Sequence, residues 1–242
     1  MSSTCSWSAA TRWGEGMPDI HENRASPLPT TITATSAELS AERLEGADED
    51  VHFTEALAEV AIGRLTEPGD VVLDPFAGMG TALAVAERLG RRAVGVELLP
   101  DRVDRCRERA PGALVVEGDA RGLHRLVSGP VELCLTSPPY MTANEHPHNP
   151  LTAYEVLEGD YPTYLRAMTA FAETVHDLLR PGGHLVVNAA NIRHAGHTTT
   201  LAWDLARVIG DVIPFVGESV ICWDVLPHDF TGDYLLHFRR EE

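Results

Sequence analysis

From about residue 52 onward, short apolar runs alternate with stretches of helical period, and this alternation limits the fold more than any other feature. Val71-Val72-Leu73, Ala93-Val94-Gly95-Val96, Leu114-Val115-Val116, Val131 to Leu135 and His184 to Asn188 read as buried strands. Leu57, Val60, Ala61 and Leu65 fall at helical spacing before Pro68-Gly69, and Ala82 to Leu89 forms a second helical stretch closed by Gly90. Pro100 opens a helix of alternating charge through Arg109, and residues 161–180 form a long amphipathic helix stopped at Pro181-Gly182-Gly183. A helix from about Leu201 to Ile209 and strands near 217–224 and 233–239 finish the pattern. Apolar strands without polar alternation need cover on both faces. The order therefore predicts an α/β fold whose mostly parallel sheet has seven strands and helices on both sides. Such sheets bind ligands beyond the carboxyl ends of their strands, where strand order reverses, so the loops after strands are where chemistry is expected.

The chain of 242 residues suits one domain with an appendage. Residues 1–46 read as a flexible acidic tail with a short helix, in which Thr35-Ser36-Ala37-Glu38 forms a capping box and Gly46 a stop. Residues 47–242 read as the domain. All 19 basic residues are arginine, which removes any mechanism needing a Schiff-base or phosphate-loop lysine. No apolar run approaches the ~18 residues of a membrane span, and the first residues lack a secretory apolar stretch. A cytoplasmic protein with no membrane partner is expected. Cys5, Cys106, Cys134 and Cys222 lie too far apart for a zinc ribbon or redox pair and read as free thiols. The net charge of −17 opposes the basic footprint usual for nucleic-acid binding. Its distribution is uneven, because residues 61–125 carry 10 acids and 10 arginines whereas residues 126–242 carry 15 and 6.

Four loops stand out. Asp74-Pro75-Phe76-Ala77-Gly78-Met79-Gly80-Thr81 follows the first strand of the domain and lets backbone approach a ligand at a helix start. The third glycine of the dinucleotide fingerprint would fall at Leu83, and no Gly-Lys-Ser/Thr is present, so the ligand is nucleoside-like without a diphosphate. Glu97 ends the second strand, where a carboxylate accepts ribose hydroxyls or caps the next helix. Asp119 ends the third, where it can hold an adenine amine with Ala120 against the ring, serve as an N-cap, or do both. Thr136-Ser137-Pro138-Pro139-Tyr140 ends the fourth. Consecutive prolines remove two amide donors and extend the backbone, so a serine hydroxyl, a rigid carbonyl and an aromatic face can receive a planar amine.

Taken together, these motifs resemble the S-adenosylmethionine-dependent amino-methyltransferases. The Ser-Pro-Pro-Tyr form is similar to the DNA methyltransferases acting on the exocyclic amine of cytosine. The resemblance runs from about His52 to Arg239 and includes Leu65-x-x-Pro68-Gly69-Asp70, Leu89-Gly90-Arg91-Arg92, Leu179-Arg180-Pro181-Gly182-Gly183 and Val220-Ile221-Cys222-Trp223. It implies a Rossmann-like sheet of the class I methyltransferase type and S-adenosyl-L-methionine as cofactor. By position, it implies that Asp74, Phe76, Ala77, Gly78, Gly80 and Thr81 line the methionine end, with Glu97 at the ribose. Leu98, Asp119 and Ala120 go to the adenosine side, and His52 and Phe53 to the start of the cofactor pocket. Ser137, Pro138, Pro139 and Tyr140 would hold the target amine.

The chain departs from those DNA enzymes in having neither a target-recognition segment nor a basic cleft. The 20 residues between Tyr140 and Tyr161 contain no arginine, but include Glu145, Glu155, Glu158, Asp160, His146 and His148. Such a loop repels phosphates and attracts cationic amines. His146 and His148 with His194 and His197 are better read as polar loop residues than as a metal set. Asn188 and Asn191 either touch substrate or cap a turn. Methylation of a small-molecule or nucleoside-like amine is therefore favoured slightly. The rival is a DNA or RNA base presented with help from a partner or homodimer. An inactive cofactor-binding subunit is a third reading, disfavoured by the intact Ser-Pro-Pro-Tyr.

Overall fold

The computed structural model describes residues 26–43, 53–143, 160–194 and 196–242. Its strands are β1 (Thr31–Ala34), β2 (Val71–Asp74), β3 (Arg92–Glu97), β4 (Leu114–Glu117), β5 (Val131–Thr136), β6 (Leu179–His194), β7 (His197–Thr199), β8 (Phe215–Trp223) and β9 (Phe230–Arg239). Its helices are α1 (Ser36–Ala41), α2 (Glu55–Leu65), α3 (Thr81–Arg88), α4 (Pro100–Arg109), α5 (Leu123–Leu126), α6 (Tyr161–Leu178) and α7 (Leu201–Gly210). One sheet of nine strands runs in the order β1-β8-β9-β6-β5-β2-β3-β4, with β7 hairpinned onto β6. The pairs of β6 and β8 with β9 are antiparallel, as is the β7 hairpin, and the remaining pairs are parallel. The seven strands expected from the apolar runs are present. The two additions are β1 and β7.

Alternation along each strand sends side chains into two cores. Val72, Leu133, Leu135 and Val186 pack with helices α2, α3 and α4, whereas Leu73, Cys134, Leu185 and Val187 pack with α6 and α7. This is why the strands read as continuous apolar runs: neither face meets water. The amphipathic helix at 161–180 appears as α6, N-capped by Asp160, which accepts from the Thr163 amide. No helix among the described residues is long and apolar enough to cross a membrane.

The expectation of a flexible tail over residues 1–46, apart from its short helix, does not hold at Thr31–Ala34, which lies parallel to β8 with Thr31 opposite Val220 and Ala34 opposite Trp223. Alternation again explains the strand, since Ile32 and Ala34 are buried while Thr31 and Thr33 face water. Its partner is far away in sequence, so no local period announces it. The capping box then forms α1 as expected, with Thr35 accepting from the Glu38 amide and Glu38 from the Thr35 amide.

The missing third glycine has a structural counterpart across the interface. In dinucleotide folds that glycine allows close packing of helix on strand. Here Leu83 of α3 is fully buried, and the space it needs comes from Gly95 on β3, where an added Cβ would lie 2.5 Å from Leu83 Cδ1 and 3.2 Å from Ala77 Cβ. Gly95→Ala should therefore lower stability by about 1–3 kcal/mol through overpacking. Urea unfolding checks this, and the loss should shrink in a Leu83→Val background. An unchanged midpoint would show that α3 does not press on β3.

Candidate active site

Strand order reverses between β2 and β5, because the chain builds β3 and β4 on one side of β2 and then crosses to lay β5 on the other. Two side chains join the strands at their carboxyl ends. The Thr136 hydroxyl donates to Asp74 Oδ1 at 2.7 Å, and the Phe76 amide donates to the same oxygen at 3.1 Å. Both residues are buried. Burial pushes the Asp74 carboxyl up to about 7, against the two hydrogen bonds that favour its charged form.

Beyond Asp74 the glycine loop turns into α3. Ala77 donates to the Val96 carbonyl at 3.0 Å and Gly80 to the Ala77 carbonyl at 2.7 Å, so the loop lies against the end of β3. Gly80 is the N-cap of α3 at φ +80°, a conformation that favours glycine, and a Cβ there would stand 3.2 Å from Cys106 Cα. Helix α4 fastens the loop from outside. Cys106 Sγ lies 3.3 Å from the Gly78 carbonyl, and Arg109 donates to Thr81 Oγ1 at 3.0 Å, to the Met79 carbonyl at 3.4 Å and to Glu55 at 2.6 Å. Burial pushes the Cys106 thiol up to about 12, so it acts as a neutral packing group.

Glu97, also buried, is shared between its own loop and the glycine loop. Its Oε1 accepts the Leu98 and Leu99 amides at 2.9 and 3.0 Å, and its Oε2 accepts the Gly78 amide at 2.8 Å. A carboxylate offers about four acceptor positions, so Oε2 keeps one free for an outside donor. Asp119 is the N-cap of the short turn at Ala120–Gly122, accepts from the Arg121 amide, and is paired with the Arg121 guanidinium, which holds its carboxyl below the usual range. Ala120 is buried and Leu98 is 36% exposed. Phe53 is buried in the α2–α3 core, and Phe76 packs on Phe171 at a centroid distance of 5.2 Å. His52 lies outside the described residues.

The loop after β5 leaves the same carboxyl end of the sheet beside the glycine loop. Pro138 is buried, while Ser137, Pro139 and Tyr140 are half-buried. The Tyr140 ring lies 5.9 Å from that of Phe230, and its hydroxyl donates to Asn188 Oδ1 at 3.2 Å. Behind it, Asn188 Nδ2 donates to Asp233 Oδ1 at 2.9 Å, and Trp223 Nε1 to Asp233 Oδ2 at 2.9 Å. Burial raises the Asp233 carboxyl to about 6. Asn191 accepts from the Ala202 amide at 3.0 Å and so caps α7, and Thr199 of β7 accepts from the Ala143 amide at 3.0 Å, fixing the far end of the loop. Thr136, Cys106, Arg109, Trp223 and Asp233 were not singled out as site residues from sequence. Thr136 adjoins the Ser-Pro-Pro-Tyr motif, but nothing local marks the role of Asp233. Among the described residues no group of three or more His, Cys, Asp and Glu side chains is placed to hold a metal ion; His146 and His148 lie outside them.

The strand order, with antiparallel β9 between β6 and β8, is that of the class I methyltransferase fold. Among solved structures, TrmN from Thermus thermophilus has this fold at a TM-score of 0.57 and 20% identity, covering 78% of this chain and 49% of that one. A family model described as DNA methylase matches residues 30–108. A 4-amino-L-phenylalanine/4-methylamino-L-phenylalanine methyltransferase from Streptomyces pristinaespiralis is 36% identical over 153 residues, 55% of this chain and 50% of the relative. The type II methyltransferase M.BglII from Bacillus subtilis is 44% identical over 52 residues, 22% of this chain and 14% of the relative. The chain thus spans half or less of the length of these curated relatives.

Asp74 generates a testable pH effect. Its folded carboxyl titrates near 7 and an unfolded one near 3.9, so the folded state binds more protons between these values and loses stability as pH rises through that window. An Asp74→Asn variant, which keeps an acceptor for Thr136, should lose less stability than the parent between pH 5 and pH 8 in urea unfolding. Equal losses would mean that Asp74 ionises as an ordinary carboxylate.

Proposed function

We propose that the protein is an S-adenosyl-L-methionine-dependent N-methyltransferase acting on a planar aromatic amine of a small molecule. The supporting observation is the pairing of the two loops across the Asp74–Thr136 hydrogen bond, with the glycine loop on one side and Ser137 to Tyr140 on the other. The residues present fit the cofactor chemically. Glu97 Oε2 retains an acceptor position for a ribose hydroxyl, Gly78 of the glycine loop is half-buried at φ +52°, a conformation that favours glycine, and buried Ala120 supplies a flat apolar contact. Asp74, Phe76, Ala77, Gly78, Gly80 and Thr81 would face the methionine end, Glu97 the ribose, and Leu98, Asp119 and Ala120 the adenine, with Phe53 at the pocket's edge. Asp119 acts there while still paired to Arg121.

S-adenosylmethionine supplies an electrophilic methyl group on a sulfonium, a good leaving group. The acceptor side of the chemistry rests on the chain itself. An aromatic amine is a weak nucleophile because its lone pair is delocalised into the ring. Accepting its two protons at Ser137 Oγ and the Pro138 carbonyl favours a pyramidal nitrogen and releases that lone pair. Tyr140 supports the ring from one side. In-line positioning at ~3–3.5 Å then contributes on the order of 7–11 kcal/mol. Serine has no charged form near neutral pH, so its role is to accept a hydrogen bond.

The small-molecule reading is favoured by the −17 charge and by the relative whose printed substrate is an aromatic amine. The match to the DNA methylase model favours the rival, an exocyclic amine of a nucleobase. Incubation with methyl-labelled S-adenosylmethionine separates them. Label should enter 4-amino-L-phenylalanine and not duplex DNA or RNA at physiological salt. Label in duplex DNA would overturn the small-molecule reading. Ser137→Ala and Tyr140→Ala should each lower turnover by about 100-fold with calorimetric affinity for the cofactor retained. Loss of cofactor binding in both would refute the division of the crevice into two halves.

A further inference from the structure

Asp233, Asn188 and Trp223 lie behind Tyr140 on three different strands, and their hydrogen bonds have a definite direction. Asp233 is 3% exposed, and its carboxylate receives three donors: Asn188 Nδ2 at 2.9 Å, Trp223 Nε1 at 2.9 Å and the Tyr234 amide at 3.0 Å. A carboxylate only accepts, so the Asn188 amide has one allowed orientation, with its NH₂ towards Asp233 and its carbonyl towards Tyr140. A second bond from Nδ2 to the Tyr234 carbonyl at 3.2 Å holds the same orientation. The carbonyl in turn draws the Tyr140 hydroxyl proton to itself at 3.2 Å. The Tyr140 hydroxyl is thereby fixed as a donor towards Asn188, which anchors its ring 5.9 Å from that of Phe230.

We propose that Asp233 is a positioning residue that sets the direction of the hydrogen-bond chain Asp233–Asn188–Tyr140, so that the Tyr140 ring is held in one place against the substrate. This rests on the reading of Ser137 to Tyr140 as an amine receptor and adds what fixes its aromatic wall. No proton passes along the chain, since an amide N–H is not acidic enough to give its proton up. Trp223 acts one step further back by holding the second carboxylate oxygen.

Two substitutions at position 233 test the direction. Asp233→Leu accepts nothing, so the Asn188 amide loses the partner that orients it. In Asp233→Asn/Trp223→Phe the new carbonyl still accepts from Asn188 and from the Tyr234 amide, its NH₂ meets no indole donor, and the direction at Tyr140 is kept. In the full chain labelled with tyrosine ¹³Cζ, the Tyr140 resonance, assigned by its loss in Tyr140→Phe, should move in Asp233→Leu and stay at the parent's position in Asp233→Asn/Trp223→Phe. With 4-amino-L-phenylalanine as acceptor, Asp233→Leu should lower kcat by about 10- to 100-fold, the worth of a charge-assisted hydrogen bond, while KM for S-adenosylmethionine stays the same. The double variant should keep most of the parent's kcat. A Tyr140 resonance unmoved in Asp233→Leu, or moved as far in the double variant, overturns the proposal. If Asp233→Leu does not fold, the double variant decides by whether its Tyr140 resonance matches the parent's. Absence of turnover in the parent would overturn the assignment of the aromatic amine as substrate, and the resonance would still decide the proposal.

Discussion

The hydrogen bond from Thr136 to Asp74 couples β2 and β5, the parallel strands between which the strand order reverses. Everything else at the carboxyl end of the sheet is arranged about it. On one side Asp74 accepts the Phe76 amide and starts the glycine loop; on the other Thr136 is followed at once by Ser137. A shift of one strand against the other would separate the two loops. The join is made inside the protein, where a hydrogen bond is worth more than at the surface and an unpaired partner costs more.

Each half of the crevice is then held from behind by groups outside it. The glycine loop is fastened by Cys106 and Arg109 of α4 and by the Glu97 carboxylate, so its backbone is preorganised without a phosphate-binding lysine. The Ser-Pro-Pro-Tyr loop is fastened at Tyr140 by Asn188 and at Ala143 by Thr199. Rigid support of this kind suits a reaction whose barrier depends chiefly on alignment, because a small displacement of the amine would forfeit much of the gain.

Legibility in the sequence followed the range of the interactions. The apolar runs of β2 to β6, the glycine loop and the α1 capping box are patterns within a few residues, and each left a periodic or capping signal. Strand β1 depends on Val220 to Trp223, and the Asp233 network on the register of β6 with β9, where Asn188 lies opposite Leu235. No window of sequence contains both partners. Helix α4 misled for another reason. Its alternating charges gave no sign that one of them is turned inward, yet the Arg109 side chain is only 15% exposed and reaches α2, α3 and the glycine loop, because a long side chain can bury its stem while its head finds partners. The split of the charge was legible, and the structure places the neutral stretch 61–125 on β2, β3 and β4 with their helices.

On the proposed function, the carboxyl end of the sheet holds two independent halves, one for an adenosine-bearing cofactor and one for an amine. Amide hydrogen exchange with and without S-adenosylhomocysteine distinguishes them. Protection is expected to rise at residues 76–81 and 97–99, around the Glu97 carboxylate, with the Ser137 and Tyr140 amides unchanged. Protection confined to other parts of the sheet, or none at a saturating concentration, would contradict the account.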